Sequence, residues 1–244
     1  MKEREIYSPV RALSPIIVRL DGRAFHRFTL DQQFDRPFDK CFTDSMAEVT
    51  AALLKESGFS PLFGYTFSDE ISLFFPKSPY DGRIEKIDSV LASFAASALT
   101  IILKLTCPVA FDSRVIPVTM DHVVTYLCWR QGEAWRNHIN GWSQALLLKE
   151  GINPTEVAKM LDGIPSGNLH EICYKRGINL ALTPAWQRRG IMVYRKEIEK
   201  EGYNPVKKEV TSTIRRVVTI DRDLPLFSRP AGEIFIKNIL RDNI

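Results

Sequence analysis

The stretch Ile16-Ile17-Val18-Arg19-Leu20-Asp21-Gly22-Arg23-Ala24-Phe25-His26 begins as an apolar, β-branched run, which predicts a short buried strand. The strand ends abruptly at an Asp-Gly pair. A carboxylate there contributes little to a core, but it suits a divalent metal held against a phosphate, and Gly22 lets the backbone approach a ligand. Arg19, Arg23 and His26 add positive or hydrogen-bonding groups around it. A plain strand that runs into an Asp-Gly turn explains the same residues equally well.

Apolar periodicity places further elements after this strand. The predicted elements are helices over residues 40–57 and 84–105, a hairpin over residues 62–75 and a last strand over residues 109–118. Residues 29–37 are predicted to form a polar loop. The order β-α-β-β-α-β predicts an α+β, ferredoxin-like sheet. In that sheet the end of the first strand lies beside the three-residue hairpin tip, Ser68-Asp69-Glu70, so that Asp21 faces both acids of the tip.

The second half of the chain differs from the first in its residue composition and in its predicted elements. We predict a core over residues 1–118 and, over residues 119–244, an appended helical and β-hairpin C-terminal part rich in basic residues. A long helix is predicted over residues 123–149, with a polar face formed by Arg130, Gln131, Arg136, Asn137 and His138. Asn153-Pro154 predicts the start of another helix, and a strand pair is predicted to end near Ile220. Residues 221–244 receive no assignment.

Composition sets the broad class. The 244 residues carry a net charge of +4 and are 45% hydrophobic, which excludes global disorder and is compatible with a polyanionic partner. Four scattered cysteines lack the spacing of a zinc site or a disulfide scaffold. The charged N-terminus has no apolar region behind it, and polar residues interrupt the longest apolar stretch, residues 90–105. We therefore expect a cytoplasmic protein with reduced thiols and no membrane segment.

The acids at the predicted sheet edge suit two-metal phosphoryl or nucleotidyl transfer. Mg²⁺ needs few protein carboxylates, because substrate phosphates and waters complete its shell. Asp21 and Asp69 are predicted to bridge two ions, and the Gly22 carbonyl is a plausible further ligand. Glu70 is either a third acid or a structural acceptor.

Two cations lie at the predicted start of the second helix. Because Arg83 and Lys86 oppose the helix dipole there, they are candidate ligands of a triphosphate. The alternative is that both are solvated surface charges.

Several motifs taken together resemble one known family. They are Asp21-Gly22-Arg23-x-Phe25-His26-Arg27-Phe28, Ser68-Asp69-Glu70 before Ile71-Ser72-Leu73-Phe74, Phe111-Asp112-x-Arg114, and Trp129-Arg130-Gln131. In this order they resemble the tRNA-His guanylyltransferase family, which includes guanylyltransferase-like proteins that add nucleotides in the 3′-to-5′ direction. Pro184-x-Trp186-Gln187-Arg188-Arg189-Gly190 is similar to the archaeal and bacterial branch. The resemblance covers about residues 10–196.

The resemblance implies a polymerase-type palm, a tetramer and two Mg²⁺ ions, with tRNA as partner and with ATP and GTP or another NTP as substrates. ATP would adenylylate a 5′-monophosphate, the 3′-hydroxyl of the incoming nucleotide would attack, and AMP would leave. The metal ligands then fall on Asp21, the Gly22 backbone and Asp69. Glu70 joins the two aspartates in the catalytic group.

The resemblance also implies binding residues. Nucleotide contacts fall on Arg19, Gly22, Arg23, Ala24, Phe25, His26, Arg36, Asp39, Ser68, Arg83 and Lys86. Arg36 stands where the family has a lysine, and Asp39 is expected to be both a ligand and the N-cap of its helix. From its basic residues, the C-terminal part is predicted to contribute to assembly and to tRNA binding, through Arg130, Gln131, Arg136, Asn137, Arg188, Arg189 and Arg195. For the Arg188-Arg189 and Arg195-Lys196 clusters, solvated surface charge is the alternative, and the interleaved Trp186 and Tyr194 favour contact with phosphate and bases.

One departure bears on the substrate. Members specific for tRNA-His carry His-Ile-Asn-Asn-Leu-Tyr-Asn shortly after Trp-Arg-Gln. Here His138-Ile139-Asn140 lies three residues too late, and Trp135 occupies the position of the motif's histidine. This favours template-dependent repair of truncated tRNA 5′ ends. The alternatives are strict addition of the extra 5′ G to tRNA-His, a non-catalytic tRNA-binding palm, and another palm enzyme such as a nucleotide cyclase.

The remaining histidines and tryptophans have plain explanations. His122 and His170 are predicted to lie at the surface or at helix ends. Trp129, Trp135 and Trp142 are predicted to pack, with stacking of one of them on RNA as the alternative.

Overall fold

One antiparallel sheet organises the described part of the chain. Its strands are β1 (Ile16–Gly22), β2 (Phe63–Phe67), β3 (Glu70–Phe75), β4 (Phe111–Pro117), β5 (Ile191–Asn204) and β6 (Glu209–Asp221). They lie in the order β4-β1-β3-β2-β5-β6, and all neighbours are antiparallel. The computed structural model describes residues 1, 4–204 and 209–243.

Helices cover both faces of the sheet. They are α1 (Phe25–Asp31), α2 (Lys40–Lys55), α3 (Ile84–Leu103), α4 (His122–Lys149), α5 (Pro154–Leu161), α6 (Ser166–Tyr174), α7 (Ala185–Arg189) and α8 (Pro230–Asn243). α2 and α3 bury their apolar residues against one face, and α4 and α8 bury theirs against the other. Short 3₁₀ turns lie at Pro79–Gly82 and Leu180–Leu182.

Side chains alternate along β1 between these two faces. Ile16, Val18 and Leu20 join the core under α2 and α3, whereas Ile17 joins the core under α4. Because successive side chains of a strand point to opposite faces, Arg19 and Asp21 project to the side of Ile17. The last acid of the strand is therefore placed on the face that α4 covers.

The predicted mixed fold around an antiparallel sheet is confirmed, as are the strong helix starts. The Asp39 carboxylate accepts the backbone N–H of Phe42 at 2.8 Å at the start of α2, and the Asn153 side chain accepts that of Glu156 at 2.9 Å at the start of α5. Both contacts are N-caps of the expected kind. The strand pair near Ile220 is β5 and β6.

Two local predictions were wrong. The polar loop was predicted to begin at residue 29, but residues 25–31 form α1. The helical turn brings both Phe25 and Phe28 onto Phe42. The hairpin tip has two residues instead of three, with Ser68 in the left-handed region at φ 52°, so that Glu70 belongs to β3.

Both halves of the chain contribute to the same sheet. β5, from the C-terminal part, pairs with β2 over Ile191 to Tyr194. The division at residue 118 stays a prediction, and the shared sheet shows that the two parts have a continuous framework.

One helix departs from the expectation of no membrane segment. By length and composition, α3 is apolar enough to cross a membrane, with a mean hydropathy of 1.6. A single such helix is weak evidence for a span, because core helices pass the same test. Ile87, Leu91, Ala95 and Leu99, at helical spacing, are buried in the core of this protein.

The sequence predicted that Arg195 contacts tRNA, but its guanidinium is engaged within the protein. Its side chain folds back from β5 and donates to the backbone carbonyls of Leu54, at the end of α2, and of Pro61, the latter at 2.9 Å. The Leu54 carbonyl lies in the last turn of α2, where carbonyls have no intrahelical donor, and the Pro61 carbonyl lies in the loop that follows. Arg195 is therefore a structural link between β5 and α2.

We expect Arg195→Met to lower the free energy of unfolding by about 1–2 kcal/mol, because two hydrogen bonds from a charged donor are lost. Denaturant unfolding followed by circular dichroism measures the change. The matched control is Arg136→Met, whose exposed guanidinium pairs, among the described residues, only with Glu133 on its own helix; it should shift stability by less than about 0.5 kcal/mol. Equal effects of the two substitutions would contradict the structural role.

Candidate active site

The sheet register brings two acids to one edge. Asp21 lies opposite Glu70 in the β1–β3 pairing, and the Gly22 N–H donates to the carbonyl of Asp69 at 3.1 Å. The Ser68 hydroxyl donates to Oδ1 of Asp69 at 3.0 Å. Burial raises the pKa of Asp69 above its usual value of 3.8, and the nearby charge of Asp21 raises it further.

The pair fits a hard divalent cation. Mg²⁺ is commonly held by one or two carboxylates, with phosphates and waters completing the shell. Among the described residues, no cluster of three His, Cys, Asp or Glu side chains could hold a metal, and neither Asp21 nor Asp69 has an ion-pair partner. Two convergent carboxylates without a compensating cation are the donor set that such an ion would neutralise.

Glu70 has a different environment from the two aspartates. Its carboxylate accepts Nε of Arg130 at 2.8 Å and Nη2 at 2.5 Å, and both side chains are buried. Burial raises the pKa of Glu70, while the Arg130 guanidinium acts against that rise. Of the two predicted roles of Glu70, the structure supports the structural acceptor, because both carboxylate oxygens are committed to Arg130.

Two residues predicted to contact tRNA are buried, and for them the prediction was wrong. Arg130 is held by Glu70. The Gln131 side chain donates to the carbonyl of Pro225 at 3.1 Å and accepts the N–H of Phe227 at 2.8 Å. The physical reason is that this stretch of α4 packs on the sheet, so that its polar groups must find partners inside the protein.

The other predicted tRNA residues differ in exposure. Arg136 and Asn137 are exposed on α4. Arg188 and Arg189 are half-buried, and each donates to a backbone carbonyl, that of Thr183 at 2.9 Å and that of Leu224 at 2.7 Å respectively. Contact of these four with tRNA stays a prediction.

A cavity of about 460 Å³ opens beside Asp69. It lies between α1, the start of α2, the β2–β3 turn, α4 and α7. The predicted residues that line it are Phe25, His26, Arg36, Asp39, Ser68 and Asp69. An apolar cavity with a few convergent polar groups is the usual form of a small-molecule site.

Several lining residues were not among the predicted nucleotide-binding residues. They are the aromatic side chains Phe34, Phe38, Phe42 and Trp186 and the carboxamides Asn137, Asn140, Gln144 and Gln187. A signal for three of the amides was available, since positions 137, 140 and 144 share one face of a helix. Buried Gln187 Oε1 has no hydrogen-bond partner among the described residues.

Of the predicted nucleotide residues near β1, Arg19, Gly22, Arg23 and Ala24 are not among the residues that line the cavity, whereas Asp39 and Arg36 line it and make further contacts. Asp39 accepts two backbone N–H groups, and Arg36 lies 3.5 Å from the His26 ring at the cavity rim. Arg23 and Ala24 are exposed, and Ala24 has φ 59° where α1 begins.

Gly22 has a packing reason to be glycine. A Cβ at this position would lie 2.5 Å from the Phe25 ring. The absence of a side chain at Gly22 therefore lets Phe25 of α1 pack closely against the end of β1. This packing role is independent of any ligand of the Gly22 carbonyl.

The structure does not bring Arg83 and Lys86 to the acid pair. They follow β3 at its Phe75 end, which pairs with Ile16, whereas Asp21 is roughly 17 Å away along β1. The backbone of Arg83 forms an isolated antiparallel β-bridge with that of Arg11. Nζ of Lys86 lies 4.2 Å above the Tyr80 ring. Their role as triphosphate ligands stays a prediction.

His138 is not on a polar face, contrary to the prediction. It is fully buried, 5.5 Å from the Trp135 ring, and its Nε2 lies 3.0 Å from the Thr183 hydroxyl. Burial lowers the pKa of His138 to about 4, so that the ring is neutral at pH 7.

Breaking the Glu70–Arg130 pair should be costly. Arg130→Met leaves a buried carboxylate without its partner, and we expect a loss of about 3–5 kcal/mol in the free energy of unfolding. The double variant Glu70→Gln/Arg130→Met should recover much of that loss, because no buried charge remains. Urea unfolding of both variants measures the difference; equal stability of the single and double variants would contradict a buried ion pair.

The raised pKa of Asp69 predicts a stability effect with a defined sign. The folded protein disfavours the ionised form, so the penalty is absent below pH 3.8, grows as the pH rises through the folded pKa, and is complete at pH 7. In chelator, Asp69→Asn should therefore raise Tm at pH 7 and lose this advantage near pH 3.

Thermal unfolding with added Mg²⁺ completes that test. The cation should raise the Tm of the parent protein and leave Asp69→Asn unchanged, because the variant lacks one of the two carboxylates. The control is exposed Asp162→Asn, which should respond to Mg²⁺ as the parent does. In chelator, a larger Tm gain from Asp69→Asn at low pH than at neutral pH would refute the raised pKa of Asp69.

The chain is similar in sequence to known proteins over nearly its whole length. Family models described as tRNAHis guanylyltransferase and as the Thg1 C terminal domain match residues 1–119 and 121–223. The tRNA(His) guanylyltransferase of Schizosaccharomyces pombe is 30% identical over 242 residues, 91% of each chain. The tRNA(His) guanylyltransferase 1 of Arabidopsis thaliana is also 30% identical, over 85% of this chain, which spans only 39% of that longer protein.

Solved structures share the fold. A bacterial tRNA(His) guanylyltransferase (Thg1)-like protein in complex with ATP has a TM-score of 0.78 at 23% identity, and one in complex with GTP has 0.72 at 24%; each comparison covers 98% of this chain and 96% of the other. At these identities the likeness shows the fold alone. The two family models, which together span most of the sequence, show that this chain belongs to the tRNA-His guanylyltransferase family.

Proposed function

We propose that this protein adds nucleotides to the 5′ end of tRNA by metal-dependent transfer in the 3′-to-5′ direction. The observation that carries the proposal is the closeness of Asp21 to Asp69, the latter lining an aromatic, amide-lined cavity. Membership of the family and the tRNA(His) guanylyltransferase relatives support nucleotide addition at a tRNA 5′ end.

The fold in this proposal is a polymerase-type palm on a ferredoxin-like core. Its support is the order β4-β1-β3-β2 with helices between β1 and β2 and between β3 and β4. That order sets the end of β1 next to the β2–β3 turn. Acids from both elements therefore share one edge.

The two aspartates and the Gly22 carbonyl are the groups that would hold Mg²⁺. When bound, Mg²⁺ offsets the charge that builds up on oxygens during phosphoryl transfer. Within the cavity, the aromatic rings offer stacking surfaces to a purine, and the carboxamides offer donors and acceptors to its edges. Phe25 and His26 close the cavity on the side of the acids.

The chemistry proceeds in two displacements at phosphorus. In the first, an oxygen of the RNA 5′-phosphate attacks the α-phosphorus of ATP and pyrophosphate leaves. In the second, the 3′-hydroxyl of the incoming GTP or other NTP attacks the 5′-phosphorus of the RNA and AMP leaves. Asp21 and Asp69 serve both steps, because both occur at the same 5′ end.

The substrate in this proposal is a tRNA with a truncated 5′ end. Its support is the altered motif, since Trp135 stands where relatives specific for tRNA-His carry a histidine and His138 is buried. Strict addition of the extra G to tRNA-His is the alternative. Tetrameric assembly and a cytoplasmic location belong to the same proposal; four free cysteines fit a reducing compartment.

The test uses a set of tRNAs that lack the first 5′ nucleotide, with sequencing of the extended ends. Template-matched addition to several tRNAs supports repair, and addition of G to tRNA-His alone supports the alternative. Asp21→Asn and Asp69→Asn should each lower single-turnover addition by more than about 100-fold while the fold is kept, because each removes a metal ligand. Asp162→Asn is the control.

Normal single-turnover addition by either aspartate variant would overturn the assignment of the acid pair. Mg²⁺-dependent NTP turnover without RNA would indicate another palm enzyme. Binding of tRNA without any nucleotide uptake would indicate a non-catalytic module.

A further inference from the structure

Trp129 is a half-exposed indole on the face of the sheet that carries the acids. Its relative exposure is 51%, although tryptophan is usually well buried and the sequence predicted packing here. Its contacts account for only part of its surface: the Tyr126 ring meets it edge-on at 5.7 Å, the Arg130 guanidinium lies 4.5 Å from its centroid, and that of Arg19 lies at 5.9 Å.

These contacts fix the indole beside the acid pair. Arg130 is held in place by Glu70, and Glu70 is the register partner of Asp21. Arg19 precedes Asp21 by two residues on the same face of β1, a separation of roughly 7 Å. The ring therefore stands on a rigid support, next to the carboxylates.

Arg19 supplies a cation without a counterion in contact. Its Nε is buried without a hydrogen-bond partner, and its guanidinium donates no hydrogen bond within the described residues. Its neighbour across the β1–β4 pairing, Arg114, shares its charge with Asp112 at 3.3 Å. The nearby Glu70 carboxylate interacts with Arg19 electrostatically but forms no ion pair with it among the described residues. A partly desolvated guanidinium with unused donors is a favourable site for a phosphate oxygen.

The indole is separate from the cavity, since Trp129 is not among the lining residues. The cavity extends from Asp69 over the start of α2 and the later turns of α4, from Ala134 onward. Trp129 lies one turn earlier on α4 and over β1. The cavity can hold one nucleotide, and the exposed indole outside it offers a surface to a second one.

We propose that Trp129 is the stacking platform for the 5′-terminal nucleobase of the acceptor RNA, and that Arg19 binds the phosphate of the same nucleotide. The inference rests on the proposed function and adds the position of the RNA end. A ring that stacks on any base and a cation that binds any phosphate are the sequence-tolerant elements of single-strand recognition. They suit an enzyme that acts on many tRNA 5′ ends.

An RNA end matches these groups better than a second protein surface does. A nucleotide offers a flat π-face and an anion on one small unit, which is what a half-open indole beside a free guanidinium can bind.

The direct test is a tRNA with 2-aminopurine at its 5′ terminus, because stacking on an indole quenches this fluorophore. We expect quenching with the parent protein, little change with Trp129→Phe, and loss of quenching with Trp129→Ala. The control is Tyr174→Ala, which removes another exposed aromatic ring, on α6, and should quench as the parent does. No catalytic turnover is needed for this readout.

The kinetic test uses a tRNA whose 5′-terminal nucleotide is abasic. Trp129→Ala should raise the RNA concentration for half-maximal single-turnover addition by about 10- to 100-fold, with unchanged ATP binding. The abasic tRNA should cause the same loss in the parent protein and no further loss in Trp129→Ala. Additive losses, a change confined to the KM of the incoming NTP, or a change of oligomeric state would each overturn the proposal.

The two proposals fail separately. Normal nucleotide addition without quenching of 2-aminopurine would refute the role of Trp129 and leave the proposed function standing. Quenching that depends on Trp129 without any nucleotide addition would refute the proposed function and leave the RNA platform standing.

Discussion

The pairing register of β1 with β3 is the constraint on which the site depends. It sets Asp21 opposite Glu70 and brings Gly22 within a hydrogen bond of the Asp69 carbonyl. A shift by one residue would turn Asp21 to the other face and would expose Val18 and Leu20 to the side of α4. The apolar alternation of β1 therefore fixes the position of the acids as well as the core, and a mutation in that core can disable the site without touching it.

The three acids at this edge differ in their roles because their surroundings differ. Glu70 faces α4, where Arg130 occupies both of its oxygens, so that it holds the helix to the sheet. Asp21 and Asp69 have no such partner among the described residues, and their charges repel. The free energy that the protein loses by this repulsion is available to any cation that enters. The ion pair between Glu70 and Arg130 also holds α4 in the position in which it lines the cavity and supports Trp129.

The parts of the fold with long, regular patterns could be predicted from sequence. The strands and long helices, the caps at Asp39 and Asn153, and the family itself all follow from residues that act locally or in fixed motifs. α1 was missed because its seven residues are too few to show a period, and α8 was missed although Ile236, Ile239 and Leu240 have helical spacing.

The wrong predictions about the site share one physical cause. Arg130, Gln131, His138 and Arg195 were predicted to be exposed from their polarity, and each proved to satisfy a buried group of its own protein. Local sequence does not reveal which face of a long helix is covered when both the sheet and α7 pack against it. The exposure of Trp129 is the opposite case: an apolar residue of α4 is left half-exposed because no described element covers it fully.

The buried state of His138 bears directly on what the protein recognises. A neutral imidazole that lies on Trp135 and bonds to Thr183 offers nothing to an RNA that approaches α4. The exposed residues of this turn are Arg136 and Asn137, and Asn137 also reaches the cavity wall. An arginine binds phosphate without regard to sequence, whereas a histidine at a fixed surface position can distinguish one base from another. This turn of α4 thus offers RNA a charge that is indifferent to base sequence, which agrees with the proposed action on many 5′ ends.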